Sequence, residues 1–210
     1  MKFVLLVEGD AERAALPEFF GRWLNPKLSR RVSVKAVKLS GSGGYLKEMV
    51  RLVAKQVHDP SASEIIAVIG LLDLYGLPNN FYPANLSSAD DRYVWAKREL
   101  ESRVGQAKFR QFFAVHELEA WLLSDPNVFP REVREEFPAA IAYPESVNFN
   151  QPPGVLLERL YRQKLKKSYQ KPVYGRALFI KLDPEIAYQK CPRLREMLDE
   201  MLGLAKQSGN

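Results

Sequence analysis

Glu8, Asp10 and Glu12 follow directly on the apolar run Phe3-Val4-Leu5-Leu6-Val7. Asp73 closes the apolar run Ile65 to Leu72, and His116-Glu117-x-Glu119 follows Phe109 to Val115. Acidic side chains gathered at the ends of buried runs are costly unless something offsets their charge. A divalent cation does so. Magnesium takes oxygen ligands in octahedral geometry and keeps several waters, so two or three carboxylates hold it; manganese is the ready substitute. Such a centre performs phosphoryl transfer, with one metal activating a water and a second, where present, stabilising the leaving oxygen. Glu8, Asp73 and Glu117 are then the candidate catalytic residues, and Glu8, Glu12, Asp73, Glu117 and Glu119 the candidate metal ligands. Glu12 lies four residues after Glu8, which places it at the same rim if a helix begins near Asp10.

Each of these residues also has a plainer reading. Asp10 serves as a helix cap, Glu12 answers the helix dipole, and Asp73 before Leu-Tyr-Gly-Leu-Pro marks a turn. His116 can ligate a metal or move a proton, but the His-Glu pair lacks the second histidine of a zinc-protease helix. A hydrogen-bonded, partly buried histidine is its simpler role. Ser40-Gly41-Ser42-Gly43-Gly44 reads as a flexible turn. Its backbone N–H groups suit a phosphate, yet no Gly-Lys-Ser/Thr ending follows, so it is not a Walker loop.

The charge is unevenly placed. The 210-residue chain carries +6 at neutral pH, and eight of its 31 basic residues stand between Arg159 and Lys181, where no acidic residue occurs. The rest of the chain is slightly acidic. Lys164, Lys166, Lys167, Lys171 and Arg176 in that stretch are candidates to bind a polyanion or to offset charge developing on a phosphoryl group. Tyr161, Tyr169 and Tyr174 lie among them, and aromatic rings between cations are one way single strands are held. A solvated helix face is the alternative.

The elements that must position these residues can be read from periodicity. Residues 2 to 7, 32 to 39, 65 to 72 and 109 to 115 read as strands, separated by helices over about 11 to 24, 45 to 57 and 88 to 104. Continuous apolar strands alternating with helices predict an α/β fold: a Rossmann-like parallel sheet with helices on both faces, whose ligands bind beyond the strands' carboxyl ends. The proline-bounded loop from Pro78 to Leu86, just after Asp73, is placed to act as a lid or a substrate contact. Beyond Asp125-Pro126 the pattern weakens through a proline-rich stretch. It resumes as a helix from Leu156 to about Lys167, a short strand or extended segment over Arg176 to Leu182, and a closing helix from Leu194 to Lys206 that reads as core. This divides the chain into a catalytic unit, 1–125, and a mostly helical, basic C-terminal extension, 126–210, packed on it.

Val7-Glu8-Gly9-x-x-Glu12, Asp73-x-Tyr75-Gly76 and His116-Glu117-x-Glu119-Ala120, in that order, resemble an uncharacterised TOPRIM-like family. The start is similar to that of the OLD-family nucleases. The resemblance implies a TOPRIM-like parallel sheet binding magnesium at the strand ends, Glu8 and Glu12 as ligand or general-base positions, and Asp73 as first acid of a D-x-D motif. It further implies a nuclease acting on DNA or RNA beside a partner ATPase in phage defence. Tyr75 replaces the second acid of that motif and cannot act as a carboxylate at neutral pH. Glu117 or Glu119 then supplies the missing ligand, or one metal binds in place of two, or catalysis is lost and a nucleic-acid-binding or regulatory subunit remains. A phosphoryl-transferring enzyme on a small nucleotide is a third reading, prompted by the glycine turn. A single cysteine, Cys191, excludes an internal disulfide, and no apolar run reaches the roughly 18 residues of a membrane span. The first residues read as a strand bearing Glu8 and not as a secretory leader, so the expectation is a cytoplasmic protein.

Overall fold

In the computed structural model, which describes residues 1–39, 41–137, 141–146 and 152–209, residues Phe3 to Val7 are completely buried. A strand without one exposed side chain must lie inside a parallel sheet covered on both faces. Strand β1 (Lys2–Val7) pairs in parallel with β2 (Ser33–Lys38) on one side and with β3 (Ile65–Asp73) on the other. Strand β4 (Phe109–Ala114) pairs in parallel with β3, giving the order β2-β1-β3-β4. Leu6 lies opposite Gly70 and Asp73 opposite Ala114, so β1, β3 and β4 all finish at one rim. The expected α/β architecture is the one observed.

Alternation along the strands sorts the core into two layers. Phe3, Leu5, Val7, Ile69, Leu71 and Phe112 face helix α1 (Asp10–Leu24) and the C-terminal helices. Val4, Leu6, Val68, Leu72 and Phe113 face α2 (Gly41–Val57) and α3 (Ala89–Val104). Helix α3 starts where Ser88 accepts a hydrogen bond from the Asp91 N–H and stops at Gly105, whose φ of 61° ends it. Between the layers, at the middle of β3, the Tyr45 hydroxyl donates to Gln111 Oε1 at 2.7 Å. A Cβ on Gly70 would stand 2.0 Å from that hydroxyl, so only glycine lets the bond pass.

The C-terminal part is helical: α4 (Glu119–Leu122), α5 (Arg131–Arg134), α6 (Pro153–Leu160), α7 (Arg176–Lys181), α8 (Pro184–Lys190) and α9 (Pro192–Gln207). Leu194, Met197, Leu198 and Met201 of α9 are buried, as core. π-Helical turns at Tyr161–Leu165 and Lys171–Gly175 follow α6 and precede α7. Among the described residues no helix is long and apolar enough to cross a membrane.

Two expectations are corrected. The glycines from Gly41 onward form the first turn of α2 and not a flexible turn; Ser40 lies outside the described residues. Tyr45, Met49 and Val53, buried at helical spacing, hold α2 against the sheet and outweigh the poor helix propensity of the glycines that open it. Arg176 to Lys181 is a helix where a strand or extended segment was expected. Its Leu178 and Phe179 are buried, and the Phe179 ring meets Phe19 of α1 edge-on at 5.4 Å. Docking against α1 overrides the strand preference of Phe179-Ile180. The expected proline-rich linkage survives in part, as α5 and the 3₁₀ turns Pro126–Val128 and Pro144–Ser146; residues 138–140 and 147–151 lie outside the described residues.

Candidate strand-end carboxylate centre

Glu8 is the first residue beyond β1, Asp73 the last of β3, and Glu119 the first of α4 after β4. The shared rim brings the three together, and α1 adds Glu12 from its first turn. Gly9 is the N-cap of α1, with no side-chain capping bond. Its backbone is extended, so any residue could adopt it; what requires glycine is space. A Cβ there would stand 2.4 Å from Glu12 Oε2, because the Glu12 side chain folds back over the cap. Gly76, in the 3₁₀ turn after Asp73, is less tightly placed, a built Cβ standing 3.3 Å from Glu8 Oε1.

Lys171 enters this acidic group from the turn before α7. Its Nζ is 3.0 Å from Glu119 Oε2, 3.5 Å from Asp73 Oδ2 and 3.9 Å from Glu12 Oε1. Of the five cations read from the basic stretch, Lys171 is the one the fold draws inward. Lys164 pairs with Glu136, while Lys166, Lys167 and Arg176 are exposed. Tyr169 is buried, its ring packed on Tyr161 and Tyr174 at 5.1 and 6.1 Å, so this aromatic set faces itself.

One ammonium does not neutralise four carboxylates. Burial, with the nearby Asp73 charge second, raises the Glu8 pKa to about 7. Burial raises Glu119 to about 7 and Asp73 to about 6, against the lowering effect of Lys171 on both. Glu8 Oε1 and Glu12 Oε2 are buried without a hydrogen-bond partner among the described residues. Leaving such acceptors unpaired costs about 1–3 kcal/mol each. The donor chemistry therefore suits a hard cation: carboxylate oxygens only, two of them buried and unused, around a cavity of about 300 Å³ lined by Glu8, Glu12, Asp73 and Lys171. Among the described residues no three acidic, histidine or cysteine side chains are already drawn around one point for an ion; the Lys171 ammonium stands between them.

The remaining sequence candidates fall beside this centre. Glu117 turns toward α6, where its Oε2 accepts the Gly154 N–H at 2.8 Å. With Glu119 and Lys171 it lines an adjoining depression of about 470 Å³. Asp10 is not the helix cap expected of it. It is exposed, accepts from Lys38 Nζ at 2.5 Å, and that bond holds its carboxyl below the usual range. The loop after Asp73 is anchored by the Tyr82 hydroxyl on the Leu74 carbonyl and by Phe81 and Tyr82 on Trp95. His116 has a φ of 66°, the left-handed region that favours glycine, and its ring lies flat on Tyr75 at 5.1 Å and 3°. That contact is not among the expectations drawn from the sequence; its signal is an aromatic two residues after Asp73 and a histidine just before Glu117, each just beyond the end of one of two neighbouring strands.

A family model described as "Domain of unknown function (DUF4276)" matches residues 7–202. No curated protein matches the chain. Among solved structures, the C-terminal region of the Burkholderia pseudomallei OLD protein is similar at 16% identity and a TM-score of 0.48, over 99% of this chain and 98% of that one. The corresponding region of the Xanthomonas campestris pv. campestris OLD protein is similar at 18% identity and a TM-score of 0.45, over 98% and 94%.

Proposed function

The chain belongs to the DUF4276 family, and from its strand-end rim we propose a metal-dependent phosphodiesterase acting on DNA or RNA. One observation carries this reading: Glu12, Asp73 and Glu119 converge on Lys171 with Glu8 beside Asp73, and Glu8 Oε1 and Glu12 Oε2 are buried and unpartnered among the described residues. Glu8 and Asp73 are assigned as principal ligands of magnesium or manganese, with Glu12 and Glu119 completing the shell and Glu117 fixing the adjoining wall through Gly154. When bound, the metal supplies Lewis-acid activation of water and neutralises phosphoryl charge. Asp73 is held in place by the Leu118 N–H, which donates to its Oδ1 at 3.2 Å. Among the described residues, Lys171 is the cation positioned to meet charge developing on a phosphoryl oxygen at this rim. The exposed Lys166, Lys167 and Arg176 lie on the same segment and suit the rest of a polyanionic chain.

Cleavage assays on single- and double-stranded DNA and RNA, with magnesium and with manganese, test this. Wild type is expected to cut at least one polymer, and Asp73→Ala to abolish cutting while leaving the melting temperature in EDTA unchanged or higher. The second outcome follows because one of several mutually repelling buried acids is removed. A second reading, a binding or regulatory subunit without catalysis, draws on Tyr75 in the place of an acid and on the ammonium at the centre. Salt-sensitive nucleic-acid binding with no cleavage under either metal supports it. The resemblance to nucleases that work beside an ATPase makes an effector role in defence part of the first reading, and co-purification with a genomic-neighbour ATPase tests that part.

A further inference from the structure

A residue other than glycine at φ 66° stores about 1–2 kcal/mol of backbone strain, and such strain persists where surrounding structure enforces it. At His116 the strained backbone lays the imidazole flat on the Tyr75 ring, 3° from parallel. Neither ring supports the core: Tyr75 is 53% exposed and His116 partly so. Both are tied to the carboxylates. Tyr75 precedes Gly76, which packs against Glu8 and Asp73, and His116 lies two residues before Leu118, whose N–H holds Asp73. His116 also lines a cavity of about 530 Å³, together with Asp90, Tyr143, Glu145 and Arg193, and Tyr143 is 68% exposed.

We propose that the Tyr75–His116 pair is a shelf on which an unpaired nucleobase stacks, next to the phosphate held at the carboxylate rim. This deepens the phosphodiesterase reading and rests on it, and it names the substrate class as single-stranded or frayed-end nucleic acid. The pair presents a flat aromatic face, on which a base stacks. A base inside a duplex has both faces covered by its neighbours, so only an unpaired one can use the shelf. Tyr75 thus occupies the place of a second acid with a group that positions substrate.

The test is binding, measured by anisotropy in EDTA, of a labelled single strand of about a dozen nucleotides and of a blunt duplex. Tyr75→Ala is expected to weaken single-strand binding roughly 5- to 100-fold, the loss of one base–aromatic stack, with duplex binding and the salt slope unchanged. Tyr75→Phe is expected to restore wild-type binding, and His116→Ala to give a smaller loss. One abasic position in the strand should lower wild-type affinity to that of Tyr75→Ala and cost the variant nothing further. Single-strand binding by Tyr75→Ala within twofold of wild type overturns the shelf, as does an equal loss on the duplex. If wild type still cuts with metal in either case, the phosphodiesterase reading survives without it. A wild type that neither binds nor cuts any polymer overturns both.

Discussion

Among single residues, Lys171 sets the charge balance of the rim. Its ammonium stands in for positive charge among Glu12, Asp73 and Glu119. Lys171→Met is expected to cut the cleavage rate by about 10²–10³-fold. The same change should lower metal-free stability by about 2 kcal/mol, less than for a fully buried pair because part of the lysine is exposed. Added magnesium should return that stability, which a melting curve with and without metal checks. The carboxylates also set a pH dependence. Glu8 and Glu119 titrate near 7 and Asp73 near 6 in the fold, above their ordinary values near 4, so the folded state holds more protons than the unfolded chain between about pH 4 and 7. Stability without metal therefore falls as pH rises across that window. Because metal binding needs the ionised carboxylates, magnesium affinity rises over the same range; melting in EDTA and in magnesium at pH 5.5 and 8 reads both. Glu8 and Asp73 were legible in the sequence because each ends an apolar run. The choice of Lys171 among its basic neighbours was not, since a turn nearly a hundred residues from Asp73 sets it, and Glu117's engagement with Gly154 was hidden for the same reason.

At the scale of elements, the strands and the first three helices follow from local pattern, because burial on both faces forces continuous apolar runs and leaves helices to carry the polar residues. The elements that differ are those whose state is decided by a neighbour. Residues 176–181 become a helix by docking on α1 through Phe179, and the glycines before Tyr45 open α2 because the packing of Tyr45, Met49 and Val53 outweighs their poor helix propensity. Gly70 shows the same dependence on contact. In the sequence it is one small residue in a strand, whereas in the fold it leaves room for the Tyr45–Gln111 bond between α2 and β4. Gly70→Ala is expected to cost about 1–3 kcal/mol by overpacking, read as a lowered denaturation midpoint. Gly9→Ala should act differently. The Cβ displaces Glu12 from its position over the cap, so metal affinity falls while the fold is retained; titration calorimetry with manganese separates the two.

At the scale of the whole molecule, the C-terminal helices share one apolar layer with α1 and the sheet. Phe19 and Trp121 pack with Phe179, Phe20 packs with Trp121, and Leu194, Met197 and Leu198 belong to the same core as Phe3 and Leu5. A chain ending at residue 125 uncovers that layer and lacks Lys171, so it is expected to be insoluble or to melt far below the full chain, checked by expression and circular dichroism. The unity of core and centre explains how a basic C-terminal stretch contributes one lysine to an acidic rim formed by the first part of the chain. Anomalous scattering from crystals grown with manganese decides whether this rim holds a catalytic divalent cation. A peak is expected within coordination distance of Glu8 and Asp73, with Glu12 or Glu119 completing the shell and the Lys171 ammonium moved off the centre. Saturating manganese that leaves no peak at the rim, with Lys171 still between Asp73 and Glu119, would contradict it.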